Sequence, residues 1–199
     1  MNVTKSESTP CSSYRIGYYK KGTDKYKSFI DYLMQNDKRP YFNLCRLRNS
    51  GIKEEYLEKA ASKSDFAIVA NSKKRRGYAC SFIMFSIHIE LNCVFIRLAC
   101  ARSKRSKATV SLLMERLEKD ALSKGLTLMV LQSTQRSRRY WIDKGFLKEA
   151  NACLPWEVQV EKGLIYKSNH RCSEGTGYCT MFDHPESVDL WYSKCLSKK

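Results

Sequence analysis

CARSKRSKATVSLLMERL, residues 100–117, joins two different periodicities. Upstream, CVFIRLACA (93–101) is apolar and rich in β-branched residues, which predicts a buried strand. Downstream, Val110, Leu113, Met114, Leu117 and Ala121 form one stripe, while Glu115, Arg116, Glu118 and Lys119 lie off it. That spacing predicts an amphipathic helix over 107–123, with Gly125 closing it at the C′ position. Between the two lie Arg102, Lys104, Arg105 and Lys107 among small residues. Alone, such a run reads as an import signal or a nucleic-acid patch. Its placement points elsewhere. A strand running into a helix puts basic charge beside unpaired backbone N–H groups and the positive end of the helix dipole, which together favour a phosphate group.

The chain has 199 residues, enough for one domain with a proper core, and 43% of them are hydrophobic against 28% charged. Its formal net charge is +16. A field of that size attracts polyanions and disfavours strongly cationic substrates. Met1–Pro10 is polar, so no secretory signal is expected, and the setting is read as intracellular, cytoplasmic or nuclear. The nine cysteines show no disulfide framework, and several sit in apolar runs as small buried hydrophobes; reduced thiols are expected. Residues 78–101 are long enough to cross a bilayer, but they carry His88, Glu90, Asn92 and Arg97. Two strands with a turn near Glu90–Asn92 fit them better, and no membrane partner is expected.

Around this centre the elements follow in order. Strand 14–20 comes first, then helices over 26–35 and 52–63, strand 66–72 and a basic turn at 73–77. The two long strands and the amphipathic helix come next, followed by strand 126–132, a helix over 134–145 with Thr134 as a candidate N-cap, and a strand at FLKEA. GYCTMFD (177–183) reads as a further strand, and PESVDLWYSKCL (185–196) as a terminal helix with Pro185 in its first turn. His170, Cys172, Cys179 and His184 have the spacing of no common zinc site, so no metal is expected.

Three segments carry a resemblance to a known family. LACARSKRSKATVSLLM has a strand, a loop and a helix in register with a Q/R-x-x-G-x-G/A signature, which here reads Arg105-Ser106-Lys107-Ala108-Thr109-Val110. LTLMVLQS matches the strand that follows, and RRYWIDKGFLKEA places Tyr140 and Trp141 before Gly145-Phe146. In this ordered set the chain resembles the GNAT superfamily of acetyl-CoA-dependent N-acetyltransferases. The resemblance implies an α/β (α+β) fold: a mixed, mostly antiparallel central sheet flanked by helices. It also implies three regions, a flexible tail over 1–13, the acetyltransferase-like domain over 14–150, and a part over 151–199 that completes the sheet and adds the terminal helix.

For the site, the resemblance implies acetyl-CoA as co-substrate. Its pantetheine arm would pair with Leu98, Ala99 and Cys100. Its phosphates would sit over Arg105, Ser106, Lys107, Ala108, Thr109 and Val110, helped by Ser133 and Arg136. Both signature glycines are replaced, and Val110 is expected to crowd the pyrophosphate. Direct attack by a primary amine in a ternary complex needs a base and an acid. Trp141 stands where relatives have an acid Tyr, so Tyr140 is the candidate acid. Val94 stands near the position where the histone-acetylating branch has its Glu, which leaves Glu90 and His88 as candidate bases acting through water. The expected acceptor is a protein amine, a lysine or an N-terminus. The alternative is a catalytically impaired fold that binds nucleic acid or a protein through the basic clusters 73–76, 102–107 and 136–139.

Overall fold

The first turn of the chain's first helix shows how local chemistry sets the element boundaries. Gly22 takes a positive φ of 86°, and Thr23 follows as N-cap, its Oγ1 accepting from the Tyr26 N–H at 3.3 Å. In the computed structural model, residues 14–34, 54–74, 79–101, 107–133, 137–148, 166–167, 178–179 and 190–196 are described. The elements are β1 (Tyr14–Lys20), α1 (Asp24–Met34), α2 (Glu54–Lys63), β2 (Phe66–Ser72), β3 (Ala79–His88) and β4 (Cys93–Ala101). They continue with α3 (Lys107–Ser123), β5 (Leu128–Ser133), α4 (Arg138–Asp143), β6 (Leu147–Lys148), β7 (Tyr166–Lys167), β8 (Tyr178–Cys179) and β9 (Leu190–Cys195).

Among the described residues one sheet has seven strands in the order β1-β2-β3-β4-β5-β9-β6, and β7 pairs with β8 separately. β1, β2 and β3 pair antiparallel, β4 pairs parallel with β5, and β9 pairs antiparallel with both β5 and β6. The expected mixed, mostly antiparallel sheet with flanking helices is borne out. The apolar stretch 78–101 forms β3 and β4, and no helix of the described residues is long and apolar enough to cross a membrane.

The chain divides into two compact units. One comprises the described residues up to Phe85 together with Leu98–Leu117; the other comprises Ser86–Arg97 and those from Glu118 onward. In the first, Tyr26, Phe29 and Leu33 of α1 and Leu57, Ala60 and Ala61 of α2 pack with Ala67, Val69, Phe82 and Met84. Their spacings of three and four residues put each set on one helix face. Tyr26 Oη donates to the Ala61 carbonyl at 3.0 Å and ties the two helices. Within the same unit, Thr109 Oγ1 of α3 donates to Ser81 Oγ of β3 at 2.6 Å, both side chains being buried.

In the second unit Gly125, at φ 77°, ends α3 with paired bonds: its N–H to the Leu122 carbonyl and that of Leu126 to the Ala121 carbonyl. β5 is buried from Leu128 to Leu131. Lys194 of β9 meets Glu118 of α3 at 2.7 Å and lies over the Phe146 ring. This half-buried ion pair anchors the sheet's last strands to the helix.

Two expectations are corrected here. The terminal helix over 185–196 is not formed at its end: Leu190–Cys195 is a strand, paired residue by residue with β5 from Ser133 to Leu128. β5 has β4 on one edge only, and the Trp-Tyr-rich segment satisfies the other, burying Tyr192 and Ser193. The expectation of reduced cysteines fails at Cys100 and Cys195, each of which is disulfide-bonded. Spacing along the chain does not reveal bonds made through the fold. Cys80 and Cys93 are free and buried, as expected of small hydrophobes. Residues 1–13, the candidate cap Thr134 and the candidate ligands His170, Cys172 and His184 lie outside the described residues, and Cys179 ends β8.

Burial, with Glu90 adding and Arg97 opposing, pushes the Cys93 thiol from 9.0 up to about 12. The unfolded thiol ionises near its ordinary value while the folded one keeps its proton. Above that ordinary value the unfolded state therefore binds fewer protons, and stability falls as pH rises. Burial and Asp65 raise Tyr26 from 10.0 to about 12, which adds a loss of the same sign at higher pH. The urea midpoint is expected to fall as pH is taken from about 8 to about 11, and Cys93→Ala to make that fall shallower. Thr109→Val is expected to lower the unfolding free energy by about 1–3 kcal/mol in urea denaturation. Combined with Ser81→Ala it should lose less than the sum of the two single variants.

Candidate functional site

β4 pairs with β5 from Cys93↔Leu128 to Ile96↔Leu131. Leu98, Ala99 and Cys100 lie on β4 past the last of those pairs, alternating buried, half-buried and buried. The strand then leads into residues 102–106, which hold Arg105 and Ser106 and lie outside the described residues. Lys107 is the first residue of α3. In that first turn Ala108 is exposed, whereas Thr109 and Val110 are buried.

Val110, expected to crowd a phosphate, is itself a buried residue. Val110 starts the stripe that continues through Leu113, Met114, Leu117 and Ala121, all of them buried. A helix advances about 100° per residue, so the first position of a core stripe points into the core and away from the helix's open end. Ala108, next to Thr109 and Val110 in the first turn, is exposed.

The candidate bases lie on the β3–β4 hairpin, within the second unit. His88 ends β3, and Glu90 sits in the 3-10 turn Ile89–Leu91, which Asn92 closes in a left-handed conformation at φ 48°. His88 Nδ1 is 3.5 Å from Glu90 Oε1, with the two side chains 23% and 56% exposed. On its other side, His88 Nε2 lies 3.2 Å from Ser86 Oγ. Ser86 is buried and also accepts from Arg97 Nε at 3.2 Å. The Arg97 guanidinium stacks on the buried Phe95 ring at 3.7 Å, and the His88 ring lies 6.4 Å from the same ring. Sequence reasoning found His88 and Glu90 but missed Ser86 and Arg97. The signal was present: Ser86 and His88 are two apart on one strand and share a face.

Two further candidates occupy the end of β5 and the helix after it. Ser133 is buried, and its Oγ is 3.1 Å from that of Ser137, the N-cap of α4. Arg136 lies outside the described residues. On α4 Tyr140 is half-buried, with its ring 5.0 Å from Trp141 in edge contact and the Lys144 ammonium 5.9 Å from it. Trp141 is buried against Phe146 at 5.5 Å. Gly145, at φ 82°, makes the turn between them. So Trp141 is the core wedge of this segment, and Tyr140 is half-buried beside it. Leu98–Cys100 and the start of α3 fall in the first unit; His88, Glu90, Ser133 and Tyr140 fall in the second. Among the described residues no group of His, Cys, Asp and Glu is placed to hold a metal ion.

No family model matches the sequence, and no curated protein matches it. Solved structures match the fold. Tetrahymena GCN5 superposes with a TM-score of 0.61 at 13% identity, over 92% of this chain and 96% of that one. The catalytic domain of the Tetrahymena GCN5 histone acetyltransferase in complex with coenzyme A gives 0.60 at 12% identity, over 92% and 93%. The ribosomal-protein-S18-alanine N-acetyltransferase from Escherichia coli gives 0.50 at 9% identity, over 93% and 96%. With a parallel β4–α3–β5 crossover, a β4 that runs on past its pairs with β5, and these likenesses along nearly its whole length, the chain has the fold of the GNAT acetyltransferases.

Proposed function

We propose that this chain transfers an acetyl group from acetyl-CoA to a primary amine on a protein. The observation that carries the reading is the junction of β4 with α3. Leu98–Cys100 lie on β4 beyond its pairs with β5, and in the first turn of α3 Thr109 and Val110 are buried while Ala108 is exposed. Backbone groups along Leu98–Cys100 suit an extended pantetheine arm. A helix start suits a pyrophosphate through its N–H groups and dipole, and the basic residues 102–107 add charge of the right sign. The complex of the GCN5 catalytic domain with coenzyme A supports the same co-substrate.

In the proposed reaction the neutral amine attacks the thioester carbonyl. A C–N bond forms and the C–S bond breaks. His88, backed by Glu90, takes up the amine proton through water and releases it to solvent, and the Tyr140 hydroxyl protonates the departing thiolate and regains a proton from solvent. Two of the structural neighbours are described as acting on proteins, a histone and ribosomal protein S18. That supports a lysine or N-terminal acceptor here. The net charge of +16 favours an acceptor amine set among acidic residues over free polyamines.

Calorimetric titration of the full chain with acetyl-CoA tests the co-substrate, and mass spectrometry of peptides offering a lysine or a free N-terminus tests the transfer. Saturable binding that survives moderate salt and weakens at least about tenfold in Arg105→Glu is the expected result, a loss on the scale of a charge-assisted phosphate contact. Tyr140→Phe is expected to lower kcat by about tenfold or more with little change in acetyl-CoA affinity. No binding at millimolar acetyl-CoA, together with tight and steeply salt-dependent binding of an oligonucleotide, would replace this reading with the nucleic-acid one.

A further inference from the structure

The stripe that buries α3 is apolar, and apolar contact does not say where on a sheet a helix must sit. Val110, Leu113 and Met114 would keep nearly the same burial after a small slide or rotation, because their attraction is non-directional. The first turn also makes a directional contact. Thr109 Oγ1 donates to Ser81 Oγ at 2.6 Å, with Thr109 1% and Ser81 0% exposed. An O–H···O bond tolerates only a narrow range of lengths, and a hydroxyl buried this deeply has no water to turn to if the bond is broken.

Ser81 itself stands at a defined place. β2 and β3 keep a regular register from Phe66↔Phe85 to Ala70↔Ser81, and the next pair, Asn71↔Ala79, leaves Cys80 over. One residue is inserted into β3 there, as in a β-bulge, so Ser81 is where the regular ladder ends. Alternation puts Ser81 on the face opposite Phe82 and Met84. Those two share a core cluster with Leu98 and Cys100 of β4, the strand next to β3 in the sheet. One face of this corner therefore fixes the end of β4, and the other, through Ser81, fixes the start of α3. All of these residues belong to the first unit.

We propose that Ser81, acting through Thr109, is a positioning residue for the phosphate end of acetyl-CoA. This rests on the acetyltransferase reading, which sets the pantetheine arm along Leu98–Cys100 and the pyrophosphate at the start of α3. Arm and pyrophosphate are parts of one covalent molecule, so their two binding places must keep one spacing. The Thr109–Ser81 bond keeps it, because it refers the helix start to the strand beside β4. Without the bond the helix still packs through its stripe, but its first turn settles at another height or rotation. The ligand then meets only one of its two places well, and a displacement of about 1 Å is enough to cost tenfold or more. Ser81 is buried and touches no ligand atom itself.

Calorimetry with acetyl-CoA and steady-state kinetics on the full chain test this. Thr109→Val keeps the shape and removes the hydroxyl; it should weaken acetyl-CoA binding at least about tenfold, and so should Ser81→Ala. Thr109→Ser, which keeps the hydroxyl, should stay within about threefold of wild type. The loss should fall on the KM for acetyl-CoA, with kcat at saturation and the KM for the acceptor peptide unchanged, because the cofactor reacts as before once it is bound. A fold that was merely loosened would lose active molecules, which lowers kcat. Each variant is measured well below its own unfolding midpoint, and Ser81→Ala carries the comparison if Thr109→Val does not fold. Thr109→Val or Ser81→Ala with wild-type affinity overturns the proposal. So does Thr109→Ser that binds as weakly as Thr109→Val, or a loss carried by kcat in place of KM. Failure of the acetyltransferase reading shows separately, as wild-type chain that gives no calorimetric signal with acetyl-CoA.

Discussion

Parallel pairing of β4 with β5 is the constraint from which much of this structure follows. Two parallel neighbours cannot be joined by a tight turn; the chain must travel back along the sheet, and a helix is the compact way to do so. α3 is that return path, and its length, stripe and glycine cap all serve it. The same pairing leaves β5 with a second edge, which β9 fills from far along the chain. Its pairs end at Ile96, and Leu98–Cys100 of β4 lie beyond them towards the start of α3. The features proposed to bind a cofactor arise at the exit of the strand whose pairing requires the helix.

Polar chemistry in this fold is placed by the alternation of strands. Ser81 meets Thr109 and Ser86 meets Arg97 and His88, all through positions of β3 that would be plain small residues in an apolar strand. A buried hydroxyl is tolerated only when bonded, and each of these is. One of the two pairs locks a helix to the sheet. The other belongs to a chain of contacts that ends in a solvent-exposed carboxylate. The difference lies in what the hydroxyl faces: another hydroxyl in one case, and ionisable groups in the other.

Much of the fold was legible from periodicity. Helical spacing at Phe29, Ile30, Leu33 and Met34, and the stripe from Val110 to Ala121, mark α1 and α3 because one face of each must be buried. The β3–β4 hairpin was legible because His88, Glu90 and Asn92 interrupt an otherwise apolar run. The site was less legible. Val110 was read against a family signature by its letter, whereas its burial at the head of the α3 stripe is decided by the fold. Arg97 was read as a residue that a membrane would reject. Its partners, Ser86 and Phe95, emerge only when the hairpin folds back on itself.

By itself the sequence determined the order of strands and helices, the amphipathic helix after the basic loop, and the positions of the turns at Gly125 and Gly145. These depend on interactions within a few residues and on the burial of one face, and both are written in local spacing. Tertiary structure alone decided that residues 190–195 are a strand, that Cys100 and Cys195 are disulfide-bonded, and that Ser86 lies between Arg97 and His88. Each of these needs a partner brought in by the fold. A strand edge, a second sulfur or a hydrogen-bond donor from another strand is supplied by pairing across the sheet, and no periodicity along one segment records it.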